Sequence, residues 1–219
     1  MIEHRSLPEI DHSLYDSRQA LGSFARLVIS QKVQMITIIS GLPRSGTSLM
    51  MQMLAAGGLP ILSDGERKAD ADNPRGYLEW EHIKQLPKDP ACIAQAEGKA
   101  VKVISQLLLS LPAGHEYRII FMERPLSEVI KSQDEMLRHR SRNLEANVDT
   151  SLIANAFQRH LIEVNNWLTG KAVLRLHYHR VLREPEDMSL AVANFLQVPL
   201  KIEAMTQQVD GNLYRNRMK

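Results

Sequence analysis

The sequence has little that would place the chain in an oxidising or membrane setting. It contains one cysteine, Cys92, which excludes an internal disulfide and leaves no second thiol for a paired-cysteine metal motif. No apolar run follows the opening residues 1–5, so the sequence predicts no secretory signal. The longest apolar runs, such as Met35–Ile39, are far too short to cross a bilayer. We therefore expect a cytoplasmic protein without a membrane span.

The chain also lacks an excess of charge of either sign. Its 27 basic and 25 acidic residues give a net charge of +2, whereas nucleic-acid-binding proteins usually carry a clear basic surplus. We therefore expect no nucleic-acid partner. The 8 histidines show no spacing typical of a metal site, so the sequence predicts no metal. With 44% hydrophobic and 24% charged residues over 219 positions, the composition is that of a globular domain with one sizeable core.

Short apolar strands alternate with helical patterns along the chain. Apolar runs rich in β-branched residues predict strands at Val33–Ser40, Lys99–Ile104, Arg118–Met122 and Val173–His177. Amphipathic spacing and glycine or proline at the ends predict helices at Thr47–Ala56, Leu152–Leu168 and Pro185–Val198. The alternation predicts one α/β domain over residues 1–219, with three layers in which helices flank a central parallel sheet. Residues 1–32 are predicted to be an N-terminal helical extension of this domain.

A phosphate-binding loop is predicted at Gly41–Ser48, between the first strand and the first helix. Glycines allow a tight turn that points successive N–H groups into one concavity, and the start of the helix adds unpaired N–H groups and a positive dipole end. The spacing matches the ATP-binding P-loop except that Thr47 stands where that motif has its lysine. The basic residue of this loop is Arg44 instead.

The run from Pro43 to Ser48 resembles the 5′-phosphosulfate loop of the sulfotransferase family, which reads Pro, Lys or Arg, Ser, Gly, Thr, then Thr or Ser. The resemblance implies a P-loop fold and transfer of a sulfuryl group from 3′-phosphoadenosine 5′-phosphosulfate (PAPS), without a metal. The product would be adenosine 3′,5′-bisphosphate, and the partner a small-molecule, saccharide or peptide acceptor that offers a hydroxyl or amine. The residues implied to hold the 5′-phosphosulfate are Pro43, Arg44, Ser45, Gly46, Thr47 and Ser48.

Two further segments extend the resemblance. After the third predicted strand, Arg124 is followed eight residues later by Ser132, the spacing with which the family holds the 3′-phosphate. Arginine suits this role because its planar fork of donors matches a phosphate. The C-terminal segment resembles the basic segment that closes over the nucleotide, which implies binding roles for Tyr214, Arg215 and Arg217.

The transfer needs a charge stabiliser and a proton acceptor. A loose, in-line transition state places charge on the bridging oxygen of the leaving phosphate, and Arg44 is predicted to meet that charge electrostatically. The acceptor hydroxyl must also lose a proton. The segment that carries Asp64 and Glu66 resembles the Gly-Glu segment bearing the base in tyrosylprotein-type members, and Glu79 lies in a segment that resembles bacterial members. Glu66 is the first candidate, then Asp64, then Glu79.

Two other functions fit the same loop. A small-molecule kinase would use it for ATP with Mg²⁺, although Thr47 at the lysine position argues against this. A non-catalytic protein of the same fold would bind the nucleotide without turnover. A requirement for Mg²⁺ separates the first alternative from sulfuryl transfer, and acceptor-dependent turnover separates the second.

Overall fold

A parallel β-sheet organises the chain. The computed structural model describes residues 35–70, 73–140 and 150–210, and within these ranges the sheet has five strands in the order β2-β3-β1-β4-β5. Every pair of neighbouring strands is parallel. The strands are β1 (Ile36–Gly41), β2 (Ile61–Leu62), β3 (Ala100–Lys102), β4 (Tyr117–Glu123) and β5 (Val173–His177). Strand β1 lies at the centre of the sheet, and all of its residues are buried. This burial is typical of an apolar strand in a parallel sheet that is covered on both faces.

Helices connect these strands and cover both faces of the sheet. They are α1 (Thr47–Ala56), α2 (Ser105–Leu108), α3 (Leu126–Arg140), α4 (Thr150–Leu168), α5 (Tyr178–Arg183), α6 (Pro185–Leu196) and α7 (Ile202–Thr206). Two 3₁₀ helices, Glu81–Gln85 and Pro90–Ala96, lie between β2 and β3. Among the described helices, none is both long enough and apolar enough to cross a bilayer.

The three layers follow from the alternation of side chains along the strands. Ile38 points to a core shared with Val164 and Leu168 of α4. The next residue, Ile39, points to the opposite core, which contains Met50 of α1 and Val192 of α6. The predicted three-layer α/β architecture with a central parallel sheet is therefore confirmed.

The predicted strands and helices are present, with ends that differ by at most three residues where the structure describes them. The prediction missed β2, which has two residues, and the short helices α2, α5 and α7. Elements this short bury too little apolar surface to leave a periodic signal in the sequence. The proposed helical extension at residues 1–32 lies outside the described residues.

The topology creates a crevice at one edge of the sheet. From β1 the chain crosses to β2 and β3 on one side, and β4 and β5 lie on the other side. In open parallel sheets, ligands bind beyond the carboxyl ends of the strands at such a switch in direction. The loop Gly41–Ser48 leaves β1 at this edge.

Candidate functional site

The backbone of the loop Gly41–Ser48 explains its glycines. Gly41 has φ 147° and Gly46 has φ 101°, both in the region that favours glycine. A Cβ atom on Gly41 would lie 2.5 Å from the carbonyl oxygen of Met122, which belongs to the neighbouring strand β4. A Cβ on Gly46 would lie 2.5 Å from the Cδ2 atom of Tyr178. Both positions therefore require a residue without a side chain.

The loop offers donors for an anion. Helix α1 begins at Thr47 with no side-chain cap and no acidic residue in its first turn, so its first N–H groups and positive dipole end face the loop. Arg44 has φ 70°, an uncommon conformation for a residue with a side chain and one that clusters at ligand sites. The hydroxyl of Ser45 is buried and has no hydrogen-bond partner among the described residues. These features are those of an anion site at a helix N-terminus.

A cavity of about 360 Å³ opens beside the loop. Its lining includes Arg44, Thr47 and Ser48 of the loop, together with Arg124 and Ser132. The apolar residues of its lining include Leu49, Trp80, Ile83, Ile104, Leu107, Met136 and Leu182. The cavity thus offers both polar groups suited to phosphate and an apolar surface.

Arg44 and Ser132 meet in this cavity. The Nε of Arg44 donates a hydrogen bond to the Oγ of Ser132 at 3.0 Å, across 88 positions of sequence. Arg124 donates from Nη1 to the backbone oxygen of Arg44 at 3.1 Å. The structure therefore brings together residues that the sequence analysis assigned to two phosphate groups of one nucleotide, and Arg124 also holds the backbone of the loop Gly41–Ser48.

Arg124 is fixed by a buried ion pair. Its Nε lies 2.9 Å from the Oε2 of Glu128, and the two side chains are 7% and 3% exposed. The same carboxylate oxygen lies 3.1 Å from Nε2 of His179. The ring of Tyr178 lies 4.8 Å from the guanidinium carbon of Arg124, and burial raises the pKa of this tyrosine. The sequence allows this pair, because Glu128 stands four residues after Arg124, which is the spacing of a helical ion pair.

Lys102 is the residue that the sequence analysis missed. It is 3% exposed at the end of β3, where its Nζ donates to the Oγ of Ser48 at 2.9 Å and to the backbone oxygen of Tyr77. It also lies 3.4 Å from Oε1 of Glu79. Burial lowers the pKa of this ammonium from 10.5 to about 8, against the opposing effect of the Glu79 carboxylate. A lysine between Val101 and Val103, in the middle of a predicted strand, was the signal available in the sequence.

The three candidate bases lie in different surroundings. Glu79 lines the cavity, and its two carboxylate oxygens each accept a hydrogen bond of 3.0 Å from Nη1 of Arg67. Asp64 is exposed and accepts hydrogen bonds from the backbone N–H groups of Glu66 and Glu81. Although desolvation opposes the change, these hydrogen bonds lower the pKa of Asp64. Glu66 is exposed and does not line the cavity.

An uncommon backbone conformation lies next to Glu79. Leu78 has φ 49°, which costs on the order of 1–3 kcal/mol for a residue with a side chain. The turn lets the backbone oxygen of Tyr77 and the carboxylate of Glu79 both accept from Lys102. Gln52 of α1 fixes the same segment by donating to the backbone oxygen of Gly76 at 3.2 Å. The predicted tail residues Tyr214, Arg215 and Arg217 lie outside the described residues.

Comparisons with known proteins concern the fold. No protein-family model matches the chain, and no curated protein matches its sequence. Sulfotransferase STF1 from Mycobacterium tuberculosis H37Rv has a similar structure, with a TM-score of 0.58 at 12% identity over 90% of this chain and 76% of that one. Sulfotransferase STF9 from Mycobacterium avium has a TM-score of 0.54 at 13% identity, and the match covers 92% of this chain and 73% of that one. The sulfotransferase domain from the curacin biosynthetic pathway has a TM-score of 0.52 at 15% identity, and the match covers 82% of this chain and 79% of that one. The chain therefore has the fold of these sulfotransferases.

Proposed function

We propose that this protein transfers a sulfuryl group from PAPS to a hydroxyl of an acceptor. The observation that carries the proposal is the contact of Arg44 with Ser132 at 3.0 Å, with Arg124 bound to the backbone of Arg44. This contact unites a loop suited to the 5′-phosphosulfate with the pair suited to the 3′-phosphate. The sulfotransferase fold supports the same reading.

The residues of the cavity divide into a binding group and a charge-stabilising group. The N–H groups of the loop and the hydroxyls of Thr47 and Ser48 would bind the 5′-phosphate, and Arg124 and Ser132 the 3′-phosphate. PAPS supplies an activated sulfuryl group on that 5′-phosphate. Arg44 stays charged at any working pH and supports the leaving phosphate electrostatically. Lys102 adds a second cation beside the loop, in a buried place where charge acts strongly.

The contact of Lys102 with Ser48 argues against a Mg²⁺-dependent kinase. In the ATP-binding P-loop, the hydroxyl at the position of Ser48 coordinates Mg²⁺. Here this hydroxyl accepts a hydrogen bond from the Lys102 ammonium at 2.9 Å. A cation held by the protein thus occupies the surroundings that a metal ion would need. This favours a nucleotide that is bound without a metal.

Of the three candidate bases, Glu79 is the best placed to take the proton of the acceptor hydroxyl, because it lines the cavity and Asp64 and Glu66 do not. As the acceptor oxygen bonds to sulfur, the bond from sulfur to the bridging oxygen breaks and the hydroxyl proton passes to Glu79. Adenosine 3′,5′-bisphosphate leaves with the bridging electron pair. The walls formed by Trp80, Ile83 and Leu107 suit an acceptor with an apolar body next to its hydroxyl.

The first test is thermal stabilisation by ligands. Adenosine 3′,5′-bisphosphate in a metal chelator is compared with ATP plus Mg²⁺, and adenosine 2′,5′-bisphosphate is the matched control for the 3′-phosphate contacts. A ligand at about 100 times its dissociation constant adds roughly 2.7 kcal/mol to the free energy of unfolding. We expect stabilisation by the 3′,5′-bisphosphate without metal and a smaller effect of the 2′,5′ isomer.

The second test is turnover. With labelled PAPS and a panel of apolar alcohols and phenols, we expect label to move to an acceptor and adenosine 3′,5′-bisphosphate to be released in equal amount. Stabilisation only by ATP with Mg²⁺ would overturn the proposal in favour of a kinase. Stabilisation by the bisphosphate without transfer or hydrolysis of PAPS would favour the non-catalytic alternative.

A further inference from the structure

Three potential metal ligands meet away from the nucleotide cavity. They are His82, Asp89 and Cys92, carried by the two 3₁₀ helices and the turn between them. One donor atom from each residue lies within 4.8 Å of the other two. The closest described pair is Nε2 of His82 and Oδ2 of Asp89, at 3.5 Å. This is the one such cluster of three that the described part of the chain contains.

The chemistry of the three donors is mixed. An imidazole nitrogen, a carboxylate oxygen and a thiol sulfur together suit zinc, which binds all three at about 2.0–2.3 Å in a tetrahedral arrangement. Magnesium and calcium favour sites made only of oxygen atoms. Three protein ligands with an open fourth position are also typical of zinc sites that hold a water molecule.

Two of the three donors belong to half-exposed side chains. His82 and Asp89 are 49% and 51% exposed, which leaves room on the solvent side for their donor atoms to close on an ion. Cys92 is 5% exposed and fixed in the core between the 3₁₀ helices and the sheet. The thiol of Cys92 is therefore the fixed, buried ligand of the cluster, and the more exposed His82 and Asp89 can adjust to it.

We propose that His82, Asp89 and Cys92 form a zinc site. The sequence analysis predicted no metal because the three residues follow no zinc-finger spacing and only one is a cysteine. The two consecutive 3₁₀ helices bring them together, a juxtaposition that the periodicity of the sequence does not reveal. Binding joins the first 3₁₀ helix to the second through one ion.

The proposed zinc site lies beside residues that line the cavity. The rings of Trp80 and His82 lie 5.4 Å apart, and Trp80 and Ile83 form part of the apolar wall. A metal held by His82 fixes the segment that carries this wall. The zinc site acts on the acceptor side of the cavity, and its existence does not depend on the proposed sulfuryl transfer.

The test uses the full-length chain without an affinity tag, stripped with a chelator and then titrated with Co²⁺ or Zn²⁺. One Co²⁺ per chain is expected, with the intense near-ultraviolet absorption of a thiolate-to-cobalt bond, and Zn²⁺ should displace it and raise the melting temperature. Because loss of an outer-shell partner of a metal ligand weakens binding 10–100-fold, H82A and C92S should each weaken it by about 100-fold or more. H115A is the matched control, since His115 pairs with Glu97 at 3.2 Å but has no role in the cluster.

The outcomes separate clearly. Loss of the cobalt band in H82A and C92S but not in H115A would establish the site. If C92S fails to fold, H82A still decides, because the His82 side chain is half exposed and lies outside the buried core. Equal metal affinity in wild type, H82A and C92S, or a complex without the thiolate band, would overturn the proposal and leave His82 and Asp89 as a surface pair.

Discussion

The ammonium of Lys102 lies 2.9 Å from the hydroxyl of Ser48, so the loop Gly41–Ser48 receives a buried lysine from a neighbouring strand. The ATP-binding motif places a lysine next to the final Ser or Thr in sequence. In this protein that position is Thr47, and the cation instead comes from the end of β3, which pairs with β1 at Ile39. The register of the sheet thus supplies a charge that the loop sequence lacks.

Replacing Lys102 by methionine should reduce both nucleotide affinity and transfer. A charge-assisted hydrogen bond contributes about 1.5–3 kcal/mol, which corresponds to a loss of roughly 10–100-fold in affinity for the bisphosphate. The measurement is a ligand titration followed by the PAPS assay. K99M is the matched control, because Lys99 lies just before the start of β3, whereas Lys102 lies at its end. The ammonium of Lys99 donates to the backbone oxygen of Gln95. Equal losses in K99M and K102M would contradict a role for the buried ammonium.

The same residue should make stability depend on pH. Burial lowers the pKa of Lys102 to about 8 from 10.5, so between these values the unfolded chain binds a proton that the folded chain has lost. The free energy of unfolding therefore rises with pH from about 8 to 10.5, and this contribution is constant below about pH 8, where both states hold the proton. Relative to K102M, the wild type should gain about 2 kcal/mol between pH 8 and pH 9.5. Urea denaturation of both proteins at each pH checks this, and parallel curves would refute it.

Arg44→Ala should abolish measurable transfer. Loss of a single charge-stabilising donor lowers kcat by about 10²–10³. Arg44→Lys keeps the charge but loses the Nε donor that contacts Ser132, so part of the activity should remain. R138A is the control, because Arg138 is 76% exposed on α3 and pairs with Asp134. Turnover by R44A at the wild-type rate would show that the assigned chemistry is wrong.

Arg124 and Ser132 should differ in their effect on stability. R124A removes the buried partner of Glu128 and should cost about 3–5 kcal/mol as well as nucleotide affinity. S132A should weaken bisphosphate binding with a stability loss of only about 1 kcal/mol. The double variant R124A/E128Q should recover stability but not binding. Binding that recovers together with stability in the double variant would show that Arg124 only supports the loop.

Features that leave a local pattern in the sequence could be predicted, and contacts between distant residues could not. Strand β1 and helix α1 were predicted because a buried apolar run and a helical apolar face leave periodic patterns over several residues. Binding roles for Arg44 and Ser132 were inferred only through the resemblance to sulfotransferases, and their contact was not predicted, since 88 positions separate the two. Lys102 was missed because its partners Ser48 and Tyr77 come from other elements. Pairing between strands decides such contacts, and local sequence does not encode it.

The ranking of the candidate bases shows the same limit. Resemblance favoured Glu66, but the segment after β2 leaves Glu66 exposed and outside the cavity and commits Asp64 to backbone N–H groups. The turn at Leu78, with φ 49°, is what brings Glu79 to Lys102. A leucine in this conformation is uncommon and has no sequence signature.

Glu79→Gln is the sharpest test of the proposed proton transfer. The amide keeps the shape of the side chain but cannot take a proton, so kcat should fall by about 10²–10⁴ while E66Q remains at the wild-type rate. Glu79 also contacts Lys102 at 3.4 Å, and a purely positioning role would affect nucleotide binding as well. Bisphosphate affinity should therefore be measured in E79Q beside kcat at saturating PAPS.

Unchanged affinity with a large loss of kcat fits a base, because the binding contacts persist and only the proton acceptor is gone. Weaker affinity with kcat preserved at saturation would instead assign Glu79 to holding Lys102, and a loss of activity in E66Q would return the role to Glu66.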